Sequence, residues 1–337
     1  MEYRRLGKTE LQVSLLGFGG IPIQRVSAAE AAATIREGLD LGINFIDTAR
    51  AYTDSEEKIG KALAGIPRDK YILATKTMAR TGEAMAKDID QSLRLLNTDY
   101  IDLYQCHNVR FDQDEEKLFA PGGGLDALLA AKAAGKIRHI GITAHQVERL
   151  VRLIGASDVF ETVQVPYNFN ELKPEKELLP LAREKDMGII CMKPLGGGAL
   201  PADLALRFLL DKEVSSFIPG VESPEQIRQN IELVTNGKSL NGEELKEVER
   251  IRREWGNSYC RRCDYCQPCP RGIDISGMFL FHAYFTRYNM KDWSRARYAT
   301  VKVKPDACVE CGECESRCPY ELPIRRMLKD VYRDLEG

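Results

Sequence analysis

The chain has 337 residues, more than one typical domain, so two domains are expected. Its 44% hydrophobic content can fill a substantial core, and 48 basic against 50 acidic residues leave no overall charge to draw it to nucleic acid or an anionic membrane. The sequence holds no run of about 18 apolar residues to span a bilayer, and its opening MEYRRLGKTELQV lacks a signal-peptide core, so a cytoplasmic protein with neither nucleic acid nor membrane as partner is expected.

Residues 11–20 (LQVSLLGFGG) read as a small hairpin and a first strand, the paired glycines allowing close backbone approach. Ser27 followed by Glu30 is a capping-box pattern ahead of a helix over 28–41. A short apolar run over 43–46 stops at Asp47, Tyr52 follows, and Ser55-Glu56-Glu57 opens a stretch of helical period. The same arrangement recurs twice, the run 71–75 ending at Lys76 and the run 101–106 ending at His107. Helices are expected at 81–96 and 125–134, and strands at 138–142, 162–165, 188–192 and 217–218. Strand and helix alternating eight times predict an α/β fold, a closed parallel (β/α)8 TIM barrel over 1–240. A doubly wound sheet is the other architecture considered, but GFGG at 17–20 is not its glycine fingerprint, since no helix follows at once.

In a parallel α/β fold, polar residues just past the strand ends line the mouth where ligands bind. Three successive strands thus deliver Asp47, Lys76 and His107 to one rim, with Tyr52 on the loop between the first two. These four residues, in this order, resemble the catalytic set of the aldo-keto reductases. The family's signature is also met by Asp47-Thr48-Ala49, Tyr52, Ser55-Glu56, Ile59-Gly60 and Leu63, and the resemblance runs over about 3–237. It implies NAD(P)H-dependent interconversion of a small carbonyl and an alcohol. Tyr52 would be the acid, Lys76 would lower the phenol pKa, Asp47 would anchor Lys76, and His107 would bind the substrate oxygen.

The resemblance extends to cofactor contacts. Thr143 matches loosely a carboxamide-binding position, although Ala144 stands where the family often has an amide. Gln164, Tyr167 and Asn168 in QVPYN match the segment at the nicotinamide, Tyr167 as the stacking aromatic. Residues 193–198 (KPLGGG), with Lys193, Gly196 and Gly198, match the loop over the pyrophosphate. Gly220 and Ser223 open a helix suited to an anion, with Gln226 and Asn230 beyond. Glu222 and Gln226 occupy places where NADP-preferring members carry basic residues, which leans to NADH, with Arg228 the residue that could reverse the argument. His145 reads as either structural or a further rim residue, and Cys106 and Cys191 as small buried apolar side chains.

Beyond residue 237 the composition changes to a charged helix over 242–254 and then to cysteines. Cys260-x2-Cys263-x2-Cys266-x2-Cys269-Pro270 is followed by Cys308-x2-Cys311-x2-Cys314-x3-Cys318-Pro319, and the second group is the bacterial ferredoxin spacing. Residues 241–337 therefore resemble a small, α-rich ferredoxin-type domain with two [4Fe-4S] clusters. By that precedent one cluster takes Cys260, Cys263, Cys266 and Cys318, and the other Cys308, Cys311, Cys314 and Cys269. The first group departs from the pattern before its last cysteine, so one cluster stays open, and zinc is the other metal that paired C-x2-C describes. A basic run over 287–304 reads as support for anionic clusters, a face for an acidic redox partner protein, or a solvated surface.

Hydride moves two electrons and an iron-sulfur cluster one, which leaves three readings. The barrel reduces a carbonyl while clusters exchange electrons with a partner; the clusters only stabilise or sense; or the barrel is a nucleotide-binding sensor of little activity. The substrate-pocket loops, 108–124 among them, carry no legible code.

Overall fold

The computed structural model describes residues 1–255, 259–261, 266–286, 290–318 and 320–336, and divides the chain into two compact units. The first is Met1–Leu195 with Leu200–Asn241; the second is Gly196–Ala199 with Gly242–Gly337.

The first unit starts with an antiparallel hairpin, β1 (Tyr3–Arg5) against β2 (Gln12–Ser14), so the hairpin begins earlier than residue 11. The barrel strands are β3 (Phe18–Gly19), β4 (Phe45–Asp47), β5 (Ile72–Thr77), β6 (Ile101–Cys106), β7 (Ile137–Thr143), β8 (Thr162–Pro166), β9 (Gly188–Met192) and β10 (Ser216–Ile218). Each pairs in parallel with the next. Bridges from Leu16 to Phe217 and from Gly19 to Gly220 join the last strand to the first and close the sheet. The Gly19 amide donates to the Pro219 carbonyl at 3.0 Å, and a Cβ at Gly19 would lie 2.6 Å from that oxygen, so only glycine fits this seam.

The helices around the barrel are α1 (Ala28–Asp40), α2 (Ser55–Leu63), α3 (Gly82–Leu96), α4 (Asp112–Phe119), α5 (Gly124–Ala133), α6 (Val147–Ala156), α7 (Leu178–Glu184), α8 (Ala202–Leu210) and α9 (Pro224–Thr235). The capping box ahead of α1 forms, with the Ser27 amide donating to Glu30 at 2.8 Å. Val147, Leu150 and Ile154 put an apolar stripe of α6 into the core. α4 is different. It buries only Leu118, and its Asp112 and Glu115 pair with Arg149 and Arg152 of α6.

Leu6 and Val13 of the hairpin pack with Phe45, Ala74, Leu103, Ile190 and Ile218 from inside the barrel. Arg4 secures the hairpin by donating to the Lys212 and Val214 carbonyls at 2.7 and 2.9 Å.

The second unit is helical, with α10 (Gly242–Trp255), α11 (Ile275–Thr286), α12 (Lys291–Ala299), α13 (Glu313–Ser316) and α14 (Ile324–Glu336). Ile324, Leu328, Val331 and Leu335 form one buried stripe of α14. They share a core with Ile275, Met278, Phe279 and Tyr298, and with the side chains of Cys266 and Cys314.

Candidate active site

Side chains alternate along β5, so Thr75 and Thr77 leave the strand on one side and Lys76 on the other. Lys76 Nζ donates to Asp47 Oδ2 at 2.5 Å and to the Thr48 carbonyl at 2.8 Å. Lys76 is 1% exposed and Asp47 2%. The half-buried Tyr52 ring faces the ammonium, its centroid 5.3 Å from Nζ. His107, also half-buried, meets that ring edge-on, the centroids 5.8 Å apart at 88°. Four residues thus meet at the ends of three successive strands, β4, β5 and β6. Gln105 joins them, with Nε2 donating to Asp47 Oδ1 at 3.3 Å, and Gln164 also hydrogen-bonds Asp47. Gln105 went unnoticed in the sequence. Its signal was alternation, since it shares a face of β6 with Leu103 and, one step on, His107. Gly141 makes room there, since a Cβ on it would come within 2.9 Å of the Gln105 side chain.

Burial opposes both charges of the central pair, raising Asp47 and lowering Lys76, while each favours the ionised form of the other. Burial also pushes the Tyr52 phenol above its ordinary range, and Asp47 adds to the rise. The expected lowering by Lys76 does not emerge, because the ammonium's charge is matched by Asp47. Tyr52 is therefore a neutral phenol that keeps its proton. Burial, followed by the positive charges of Lys76, Arg80, Arg110 and Lys193, holds His107 well below the ordinary imidazole range. A neutral His107 can donate one N–H to an oxygen, and among the described residues its Nδ1 has no hydrogen-bond partner. The set can thus offer an acceptor oxygen two donors, one of which can release a proton.

In the second unit, Cys269, Cys308, Cys311 and Cys314 line one pocket together with Arg317 and Arg325. Cys269 belongs to the first cysteine group and the other three to the second. Among the described residues no three His, Cys, Asp or Glu side chains stand close enough to hold a single ion. A space walled by four thiols fits a multi-iron cluster. Cys260, Cys266 and Cys318 belong to the unit's apolar core or pack against it. Cys263, expected to ligate with them, lies outside the described residues, as does Arg287 of the basic run. Elsewhere in that run, Lys291 and Arg295 lie over the Phe285 ring, Arg297 over Trp293, and Lys304 pairs with Glu336. The arginines at the thiol pocket come from outside the run.

Residues 15–203 match the Aldo/keto reductase family model, more than half of the chain. L-galactose dehydrogenase of Arabidopsis thaliana is 33% identical over 305 residues, covering 74% of this chain and 94% of the relative. The chain belongs to the aldo/keto reductase family. An aldo-keto reductase of Bacillus halodurans in its holo form has a TM-score of 0.65 at 27% identity, over 74% of this chain and 96% of that one. One of Klebsiella pneumoniae in complex with NADPH has a TM-score of 0.64 at 26% identity, over 74% and 94%. Residues 259–323 match a 4Fe-4S dicluster domain. The protein is thus an aldo-keto reductase-type, NAD(P)H-dependent oxidoreductase with a second, iron-sulfur domain.

Within this aldo-keto reductase the expected cofactor contacts divide. Gln164 is buried and its Oε1 has no partner among the described residues, which fits an amide donor such as a carboxamide. Thr143 Oγ1 accepts from the Asn108 amide at 2.8 Å, and Ala144 beside it is buried. Asn168 is used internally, Nδ2 donating to the Lys193 carbonyl at 3.0 Å and Oδ1 accepting from the Asn170 amide at 2.9 Å. Tyr167 is 1% exposed, its hydroxyl on Glu175 and its ring edge-on to Phe208, so as placed it offers no face to stack upon. Lys193, Gly196 and Gly198 all have positive φ, and Gly196–Ala199 groups with the second unit. Gly220 bridges to Gly19, Ser223 accepts from the Gln226 amide at 3.3 Å to cap α9, and Asn230 is buried on that helix. Arg228 is paired with Glu37 and Glu225, and Arg25 with Glu222.

His145 Nδ1 lies 3.0 Å from Asn108 Oδ1; burial above all, and then Lys193 and His107, hold its pKa well below the ordinary imidazole range, so His145 stands within electrostatic reach of the rim. Cys106 and Cys191 are fully buried, and burial pushes the Cys106 thiol up to about 12, which makes it inert.

Proposed function

We propose that the barrel interconverts a small carbonyl compound and its alcohol with NAD(P)H, using Tyr52, His107, Lys76 and Asp47, and that the second unit carries two [4Fe-4S] clusters serving a redox partner. The observation that carries the barrel reading is the buried Lys76–Asp47 pair beneath the Tyr52 ring, which His107 meets edge-on. In the mouth, NAD(P)H supplies the hydride. Gln164 would receive the carboxamide through its unsatisfied Oε1. His107 gives an N–H to the substrate oxygen and orients it. Tyr52 gives that oxygen its proton as negative charge accumulates there, leaving a phenolate beside the Lys76–Asp47 pair. Asp47 fixes Lys76, and Gln105 with Gln164 fixes Asp47. In the oxidative direction the phenolate takes the alcohol proton back.

Bound clusters would supply single-electron storage and transfer. Cys308, Cys311, Cys314 and Cys269 would hold one, and Cys260, Cys263, Cys266 and Cys318 the other. The pocket that unites Cys269 with the second cysteine group supports this crossed ligation. At α9, Arg228 is matched by Glu37 and Glu225, and this supports NADH.

The deciding assay follows NADH and NADPH oxidation against a panel of small aldehydes, ketones and sugar lactols, with anaerobically purified wild type and Tyr52→Phe. Wild-type turnover that collapses in the variant is expected. Nicotinamide binding without reduction of any carbonyl would replace this reading with a nucleotide sensor.

A further inference from the structure

Behind Lys76, on the other side of β5, lies a polar cluster that the chemistry above leaves unused. Glu56, on the first turn of α2, is 1% exposed. Its Oε1 accepts from Thr75 Oγ1 and from Ser92 Oγ of α3, both at 2.8 Å, and its Oε2 accepts from Arg50 Nη1 at 2.5 Å. Arg50 lies in the loop between β4 and α2, two residues before Tyr52, and its amide donates to the Lys76 carbonyl at 2.9 Å. Arg50 Nε also approaches Asp88 Oδ1 at 3.9 Å, and Asp88 in turn accepts from Thr77. Both outward residues of β5 that flank Lys76 are therefore tied to carboxylates, and both carboxylates face Arg50.

A buried carboxylate is costly unless it is fully satisfied, and among the described residues the partners of Glu56 are groups on the two segments that carry Tyr52 and Lys76, plus Ser92. Thr75 immediately precedes Lys76. Glu56 thus touches both the strand bearing the ammonium and the loop bearing the phenol, and it does so more closely than Asp88, whose contact with Arg50 is 3.9 Å against 2.5 Å. Its charge also favours the Lys76 ammonium.

We propose that Glu56 is a positioning residue: through Arg50 and Thr75 it sets the spacing of the Tyr52 phenol and the Lys76 ammonium. This rests on the catalytic reading of those two residues. Glu56→Gln keeps the shape of the side chain, removes its charge and weakens the Arg50 arm. The loop is expected to drift, and kcat to fall about ten- to a hundredfold, as small misplacements of reacting groups do. KM and nucleotide affinity should stay within about twofold, because the loss is specific to the reacting geometry. Arg50→Gln, a milder change at the solvent side, should show the same split, and the double variant should be no worse than the more damaged single one. Glu57→Gln, exposed and paired with Lys61, is the control that leaves turnover unchanged.

A second readout is independent of turnover. In tyrosine-labelled protein the Tyr52 ring resonance, assigned by its loss in Tyr52→Phe, should shift in Glu56→Gln and Arg50→Gln but not in Glu57→Gln. Unchanged kcat with an unmoved Tyr52 resonance would overturn the proposal, as would a fall in melting temperature with kcat intact. If wild type reduces no carbonyl, the catalytic reading fails by itself, and the Tyr52 resonance still decides whether Glu56 holds that ring.

Discussion

The Tyr52 and His107 rings meet edge to face, 5.8 Å between centroids and at 88°, so the phenol and the imidazole converge without bonding to each other. A substrate oxygen is the natural partner for both. Tyr52→Phe keeps the ring contact and removes the proton, so carbonyl reduction should drop about 10²- to 10⁴-fold while nucleotide binding, followed by fluorescence, is retained.

Because burial and neighbouring cations hold His107 well below the usual imidazole range, it stays neutral from neutral pH down through the region where a free histidine would protonate. The pH profile of kcat/KM for reduction should therefore show no break near pH 6.5. A break there that disappears in His107→Asn would show that an imidazolium forms in the working site.

Asp47→Asn leaves Lys76 as a buried ammonium without its ion-pair partner, Glu56 acting only through the strand. Breaking such a pair costs about 3–5 kcal/mol, so urea denaturation should report a much less stable barrel. Restoring neutrality in Asp47→Asn with Lys76→Met should recover a good part of the stability and none of the turnover.

Glu161 tests the opposite, lower end of the barrel. Burial works to raise its carboxyl, but His139 at 2.6 Å, Lys132 at 2.7 Å and the Ile140 amide at 3.1 Å outweigh it and hold the pKa at about 2. A folded pKa below the ordinary 4.5 stabilises the fold above pH 4.5, and that contribution fades as pH falls from 4.5 towards 2. At pH 7 it is worth about 2–3 kcal/mol. Glu161→Gln should lower the melting temperature at pH 7 and narrow the gap to wild type as the solution is acidified.

Cys269 stands in the first cysteine group yet shares a pocket with the second. Cys269→Ala should thus disturb the cluster held by Cys308, Cys311 and Cys314. In anaerobically reconstituted protein, iron content and the EPR signal after dithionite should change as they do in Cys311→Ala, and differently from Cys260→Ala. Identical spectra for all three variants would mean a single cluster.

The strand ends were legible because each apolar run stops at its own ionisable residue, and that placed Asp47, Lys76 and His107 on one rim. α4 was hidden because it is acidic and lacks an apolar stripe; its partners are Arg149 and Arg152, not a core. Tyr167 could not be placed from its motif, since Glu175 and Phe208 decide where its ring lies, and neither is predictable from spacing. The basic run suggested support for clusters by charge alone, whereas its described cations mostly settle over aromatic rings. The Arg50–Glu56 pair sits six residues apart in plain view, but its meaning comes from Thr75 and Ser92, supplied by two later elements.

The hairpin of β1 and β2, with Leu6 and Val13 driven into the barrel, stops one end of it. Side chains fill the interior above it, so nucleotide and substrate are expected to meet at the mouth formed by the opposite strand ends. Traffic through a single opening imposes a queue: the molecule seated deeper has to arrive first and depart last. Initial-rate patterns should accordingly be sequential and ordered, with the nucleotide leading, and oxidised nucleotide should compete with its reduced form at every concentration of carbonyl.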